Sequence, residues 1–239
     1  MIKLLTFLKR RAPMTPAEFK ARWLTVHAPI ALEFPGLRGY MLSFSVVAEP
    51  EPTADAVAQL WFDSRQACQD SYATDIGRNG SSDANAYLSR RQHMLASEQW
   101  LACERSLENL PFKFQVGVKR ADGQSREDFV RWWRGDFAQA ATRHAAQGMA
   151  RLAYDEAGLL LNSGTSGSLT LMAAEAPFDG MFETWYPTRD ALLEGAAASP
   201  ILDLCAGRTS AMEVYMLEEH VMRLPPPPAY GGGKGGRGR

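Results

Sequence analysis

The sequence predicts an α+β protein made of two copies of one βαββαβ unit packed sheet to sheet. Two internal repeats and one shared periodicity carry this expectation. A shift of 110 residues lays Lys9-Arg10 on Lys119-Arg120, Thr15 on Ser125, Phe19 on Phe129 and Trp23 on Trp133 without a gap. A shift of 124 lays Asp55 on Asp179, Trp61 on Trp185, Phe62 on Tyr186, Arg65 on Arg189 and Ala67 on Ala191. In both copies a strand-like apolar run precedes an apolar stripe of helical spacing, so the repeat extends to the element order.

Ile2 to Leu8 is a short run of strand formers, and Phe112, Phe114, Val116 and Val118 alternate with other residues, so each copy opens on a strand. Thr15-Pro16-Ala17-Glu18 then forms a capping box with proline at the first helical position, and Ser125 with Asp128 is its weaker counterpart. Phe19, Trp23, Val26 and Ile30 make the stripe of the first helix, ending near Pro35-Gly36; Phe129, Trp133 and Ala140 continue the second, ending near Gln147-Gly148. Leu37 to Val47 and Met149 to Leu161 read as second strands, and Ala54 to Phe62 and Gly180 to Tyr186 as third strands. One shorter helix follows from Ser64 or Thr188. The last strands are expected over Leu95 to Cys103 and Ser210 to Leu217, with Glu98 and Trp100 matching Glu213 and Tyr215.

This order describes a ferredoxin-like unit, with both helices on one face of an antiparallel sheet. The other face needs a cover, which the second copy supplies, the long first strands pairing across the seam. The expected organisation is residues 1–108, residues 109–223 with a hairpin-like insertion at 159–176, and a flexible tail at 224–239. In that tail, four prolines precede AYGGGKGGRGR. Lys234, Arg237 and Arg239 are too few for more than weak, salt-sensitive contact with phosphates, and a linker or extension is the plainer reading.

Composition narrows the function. Lys and Arg number 26 against 27 Asp and Glu over 239 residues, a net charge of −1, which excludes selection of nucleic acid or anionic membrane by bulk charge. Cys68, Cys103 and Cys205 are an odd set without a CxxC pair, against a disulfide framework or a thiolate zinc site and in favour of the cytoplasm. MIKLLTFLKRRAPMT is too short and too basic at its end for a signal peptide or a span.

The stretch MIKLLTFLKRRAPMTPAEFKARWLTVHAPIALEFPGLRGY, with Ala56 to Ser64, resembles the EthD family of dimeric α+β barrel proteins. KFQVGVKRADGQSREDFVRWW and DGMFETWYPTRDALLEGAAASP look like a diverged second copy. The resemblance implies an intrachain dimeric α+β barrel, a monomeric pseudo-dimer or homodimer, enclosing room for a small apolar or aromatic metabolite. It also implies a histidine in a WxxxHAP context, which Trp23, His27, Ala28 and Pro29 reproduce.

His27 is the leading candidate acid/base, because imidazole moves protons near neutral pH and an apolar wall favours its neutral form. A histidine capping the helix end or hydrogen-bonded to a neighbouring strand is the structural alternative. The second copy departs from the pattern with Phe137; His144, seven residues further on, is a possible replacement or a helix C-terminal histidine. Tyr40 is the second catalytic candidate, a phenol able to bond a carbonyl or enolate, with Tyr154 its possible counterpart. Trp23, Trp61, Trp133 and Trp185 offer flat faces to a substrate, or pack the core.

Cys68 lacks anything nearby to lower its pKa, Arg38 and Arg143 are carboxylate partners or plain surface arginines, and His93 and His220 stand alone without ligand spacing. No metal or nucleotide motif occurs, so no cofactor is expected. A cofactor-independent isomerase, dehydratase or cyclase is the first expectation. A non-catalytic binding or auxiliary protein is the second, and a haem-binding barrel the third.

Overall fold

A computed structural model describes residues 1–101, 109–144, 150–155, 160–163, 169–172 and 176–226, with backbone alone for 143–144, 150–155, 160–163 and 169–172. The expected boundary at 108, Cys103, the turn of the insertion and the tail from 227 lie outside the described residues.

The first half forms β1 (Ile2–Arg10), α1 (Pro16–Arg22), a π-helical turn (Trp23–His27), α2 (Ala28–Leu32), β2 (Gly39–Ser45), β3 (Ala56–Phe62), α3 (Arg65–Ala73), α4 (Asp75–Tyr87) and β4 (Leu88–Trp100). The second half forms β5 (Phe112–Arg120), α5 (Arg126–Trp132), a π-helical turn (Trp133–Phe137), α6 (Ala138–His144), β6 (Ala150–Asp155), β7 (Leu160–Ser163), β8 (Leu169–Met172), β9 (Gly180–Tyr186), α7 (Arg189–Ala197), α8 (Ile201–Cys205) and β10 (Thr209–Arg223). The predicted caps form: Thr15 accepts from the Glu18 amide while Glu18 reaches back to the Thr15 amide, and Ser125 accepts from the Asp128 amide.

Eight strands close a barrel in the order β1-β3-β2-β10-β5-β9-β6-β4, β4 returning to β1. Each unit's own sheet runs last-first-third-second, so the two units are joined by β2 against β10 and β4 against β6. The expectation that the first strands pair across the seam is therefore corrected. The last strands do so, because each is long enough to serve two sheets. β4 pairs with β1 through Leu88 to Ala96 and with β6 through Ala96 to Trp100; β10 pairs with β5 through Thr209 to Glu218 and with β2 through Leu217 to Arg223.

Two further readings change with this pairing. Ala96 lies opposite Lys3 and Leu217 opposite Lys113, which aligns Glu98 with Glu219 and not with Glu213. Gln59 lies opposite Met41 and Glu183 opposite Arg151, which aligns Tyr40 with Ala150 and Tyr154 with Phe44. The helical region of the first half also holds a second helix, α4, in DIGRNGSSDANAY. Its glycines and short polar side chains are poor helix formers, yet they let it pack closely. A Cβ on Gly77 would fall 2.5 Å from the Tyr72 Cα, a separation that only glycine permits. β7 and β8 pair antiparallel outside the barrel.

Alternation along the strands separates two environments. Ile2, Leu4 and Leu8 of β1 and Ala56, Ala58, Leu60 and Phe62 of β3 pack under the helices with Phe19, Trp23 and Phe34. Leu5, Phe7 and Val57 turn into the barrel and meet Phe178, Met181, Tyr215 and Leu217 of the other half. The barrel also holds Lys3, Lys113 and Glu183, each 0% exposed. Lys3 Nζ lies 2.8 Å from both Glu98 and Glu183, and Lys113 Nζ lies 2.5 Å from Glu219 and 3.5 Å from Glu183. Gln59 and Gln115 donate to the same Glu183 Oε1, so one carboxylate near the seam collects donors from both halves.

Candidate functional site

The helix–sheet layer of the first half holds a polar cluster within an apolar setting. The π-helical turn puts Trp23 and His27 on the buried side together, their ring centroids 4.3 Å apart. His27 is 8% exposed, and its Nδ1 lies 3.0 Å from Asp83 Oδ2 of α4. Asp83 also pairs with Arg22 and accepts from the Tyr87 hydroxyl at 3.4 Å. The His27 bond and that guanidinium hold the Asp83 carboxyl below its usual range, so it stays anionic. An anionic Asp83 accepts Nδ1–H and leaves Nε2 of a neutral His27 as the ring's proton acceptor. Burial pushes the His27 pKa below the imidazole range, against the opposing pull of Asp83.

Trp23 Nε1 donates to Tyr40 Oη at 3.0 Å. The phenol therefore keeps its own proton to donate, and burial raises its pKa so that it remains neutral. Trp23, His27 and Tyr40 border one cavity of about 20 Å³ with Thr6, Phe34, Tyr72, Arg91 and His93. That volume admits about one water molecule. A larger groove of about 510 Å³ lies toward the N-terminal end of α1, lined by Phe19, Lys20, Phe44, Val46 and Glu218 among others. Phe19 of this groove packs edge-on to Trp23 of the cavity, with centroids 5.5 Å apart.

Of the residues the sequence singles out, Trp23, His27 and Tyr40 come together. Trp61 and Trp185 do not: they sit on the barrel side of their strands, with Lys3 5.6 Å and Lys113 5.5 Å over their rings and Trp185 Nε1 donating to Glu219 at 2.7 Å. Trp133 is fully buried in the second half, stacked on Phe137 at 3.9 Å and on Phe129 at 5.5 Å. His144 ends α6, and its side chain, like those of Arg143 and Tyr154, lies outside the described residues. Arg38 pairs with Asp63 at the surface, at 3.3 Å. Cys68 is buried and burial pushes its thiol up to about 12, which leaves it inert near neutral pH.

Two members of the cluster are not site candidates in the sequence, Asp83 being unmarked there and His93 standing alone without ligand spacing. Asp83 lies on α4, a helix that the sequence reading leaves unassigned between the helix from Ser64 and the strand at Leu95. His93 lies on β4, which begins at Leu88 and not at Leu95, because its opening residues Ser89 and Arg90 are exposed and polar. Once the strand is extended, period-two spacing puts Arg91, His93 and Leu95 on one face.

In the second half the residues at the equivalent positions are apolar, with Val214 43% exposed. Phe137 stands for His27, Ala150 for Tyr40, Val116 for Thr6 and Val214 for His93. Among the described residues the polar cluster belongs to the first half.

A haem requires a slot the size of a macrocycle beside an axial imidazole. Trp23, Phe34 and Tyr72 fill the layer around His27 down to the 20 Å³ space, so these residues do not fit one. Among the described residues no cluster of three or more His, Cys, Asp or Glu could hold a metal ion, and no helix is long and apolar enough to cross a membrane.

The buried imidazoles set the response to acid. Burial lowers the pKa of His27 and lowers that of His93 further, with Arg91 adding to the latter. Below an unfolded-state value of about 6.5 the unfolded chain binds protons that the folded chain refuses. Stability is therefore complete above that pH and declines as pH falls through it toward the folded values. The thermal midpoint is expected to drop between pH 7.5 and 5.5, above the range in which ordinary carboxylates titrate. His93→Gln should flatten that drop, measured by calorimetry at the two pH values.

The EthD domain matches residues 11–90. A search of curated proteins finds no match. Among solved structures the chain is similar to an anthrone oxidase-like protein, with 7% identity, 92% of each chain covered and a TM-score of 0.59. It is similar also to a mutant chlorite dismutase from Candidatus Nitrospira defluvii, with 8% identity, 90% of this chain and 89% of that one covered and a TM-score of 0.51. An ethyl tert-butyl ether d (ethd) family protein from Bacillus halodurans aligns at 23% identity over 41% of this chain and 99% of its own, with a TM-score of 0.35. At these identities the full-length likenesses establish a shared fold.

Proposed function

We infer, for a chain that carries an EthD domain over residues 11–90 inside a two-repeat dimeric α+β barrel, a cofactor-independent enzyme of small-molecule metabolism. His27 acts in it as the acid/base for proton transfer on a small cyclic or aromatic metabolite, of the isomerase, dehydratase or cyclase kind. The observation that supports this reading is the His27–Asp83 pair, 3.0 Å apart at the wall of a buried cavity shared with Tyr40. Asp83 selects the tautomer, burial keeps the ring neutral, and Tyr40 supplies a hydroxyl proton for a substrate oxygen. Trp23 orients Tyr40. Trp133, Trp61 and Trp185 lie away from this cavity and have no part in this chemistry.

The cavity takes one oxygen atom as it stands, so a ring is admitted only when the aromatic wall yields. Phe34 against Tyr72, 5.0 Å apart, is the contact on the α2–α3 side. The tightness of this space supports a second reading, in which the first half binds or shields a metabolite through the larger groove and performs no chemistry. Native mass spectrometry of freshly purified protein separates the two, since a retained and unconverted ligand supports binding alone.

The test of the first reading is deuterium uptake from D₂O into a panel of lactones and cyclic enones, followed by proton NMR. His27→Gln is expected to lower the exchange rate by about 10²- to 10⁴-fold, the contribution of a positioned base. Asp83→Asn should lower it as well. Because the His27 pKa is depressed, the wild-type rate should hold through pH 6.5 and fall only in stronger acid. Equal exchange by wild type and His27→Gln sinks the reading.

A further inference from the structure

We propose that His93 is a second catalytic residue, the neutral hydrogen-bond donor that holds a carbonyl oxygen of the substrate while His27 moves the proton. This rests on the proton-transfer reading above and names the substrate class: a small enolisable carbonyl compound, that is, a ketone, ester or lactone.

His93 is 2% exposed and borders the same cavity as His27 and Tyr40. Its Nδ1 lies 2.9 Å from Oγ1 of Thr6, its direct cross-strand neighbour on β1. Its Nε2 is buried and, among the described residues, has no hydrogen-bond partner. Buried polar nitrogens are almost always paired, so a nitrogen left open beside a cavity points to a group that arrives with the ligand. With the Thr6 hydroxyl donating to Nδ1, the neutral ring carries its proton on Nε2, directed at that group.

The groups around the ring keep it neutral. Arg91 lies on its own strand, Tyr40 on β2, Tyr72 on α3 and His27 across the cavity. Burial is the larger cause and the Arg91 charge the second. A neutral imidazole donates a hydrogen bond without surrendering the proton, which suits an oxygen gaining negative charge.

The two imidazoles thus have opposite roles. His27 Nε2 takes a proton from the carbon next to the carbonyl; the C–H bond breaks and its electron pair becomes the new C=C bond. The carbonyl π pair moves onto oxygen, where Nε2–H of His93 and the Tyr40 hydroxyl share the charge. Return of the proton from His27 to another carbon, or to the same one, completes an isomerisation or exchange and restores both rings. The second half carries Val116 and Val214 at the positions of Thr6 and His93, so the donor and the base occur in the same half.

Two measurements test this. In ¹⁵N-labelled protein, long-range imidazole correlations should show His93 as the neutral Nε2–H tautomer from pH 8 to pH 5. Adding 2-naphthol, whose oxygen imitates an enolate, should move its Hε2 resonance downfield. The Nδ1–H tautomer, or an unmoved Hε2 resonance, overturns the assignment. In D₂O exchange of 2-tetralone, His93→Leu should lower kcat about 10²-fold, the loss seen when one oxyanion donor is removed. KM should change little, and His93→Gln, which keeps an N–H near the same place, should recover at least tenfold. Full activity in His93→Leu with His27→Gln inactive overturns the His93 role alone, whereas a wild-type protein that exchanges no carbonyl substrate overturns the proton-transfer reading and this proposal with it.

Discussion

Glu183→Leu is expected to lower the thermal midpoint by about 10 °C, corresponding to a loss of about 3–5 kcal/mol. Glu183 is fully buried and lies 2.8 Å from Lys3 and 3.5 Å from Lys113, with amide donors from Gln59 and Gln115 on Oε1. Leucine removes the shared carboxylate and leaves Lys3 to Glu98 and Lys113 to Glu219. Two ammonium groups then face each other in the barrel with less compensating charge. Removing one partner from a buried ion pair costs far more than the pair's net contribution, because the remaining charges stay desolvated. Glu51→Ala is the control: Glu51 is 67% exposed and pairs with Lys9, so its loss should leave the midpoint close to that of wild type. Chemical denaturation of the two variants against wild type checks the contrast. A Glu183→Leu protein as stable as Glu51→Ala would falsify the claim that this carboxylate holds the two halves together.

Phe137→His is expected to destabilise the protein by about 2–3 kcal/mol and to create no second active site. Phe137 is the second-half counterpart of His27, and restoring an imidazole there looks like the repair of a lost residue. Its surroundings argue otherwise. Phe137 lies flat on Trp133 at 3.9 Å and edge-on to Phe182 at 5.9 Å. The polar residues that border one cavity with His27 are replaced, with Val116 for Thr6, Ala150 for Tyr40 and Val214 for His93. A histidine there loses the stack and buries a polar ring with no counterpart of that cluster around it. The denaturation midpoint measures the cost, and proton exchange in the background of His27→Gln measures any gain. Recovery of exchange in that double variant would mean that the second half retains a working pocket.

Much of the architecture was readable from residues alone because it depends on short-range rules. The Thr15 and Ser125 caps, the aromatic stripes of α1 and α5 and the turns at Pro35-Gly36 each express a local preference, and the 110- and 124-residue shifts repeat them. The shared Arg10–Asp55 and Arg120–Asp179 pairs show why the two shifted blocks kept matching ends. Local rules failed where a segment's conformation is decided by its neighbours. α4 has poor helix formers, but its small residues permit close packing on Tyr72 and Phe34. The polar opening of β4 is held as strand by β1, and its far end by β6.

The candidate site divides in the same way. His27 stood out because its position in an amphipathic stripe and its titration range are properties of the chain itself. Tyr40 and Trp23 accompanied it on similar grounds. Asp83 and His93 did not, since nothing within a few residues of either marks it; one comes from α4 and the other from β4, 56 residues and farther along the chain from His27.

By itself the sequence determined the duplication, the βαββαβ order, the capped helices and an imidazole on the buried edge of the first helix, because period, propensity and capping act within a few residues. Tertiary structure alone decided which strands cross the seam, that lysines and glutamates fill the barrel beside Trp61 and Trp185, and that Asp83 and His93 meet His27 in one half and have no counterpart among the described residues of the other. Those outcomes depend on burial and on the placement of charges from distant segments. A side chain's dielectric surroundings, and so its chemistry, exist only once the sheets have closed.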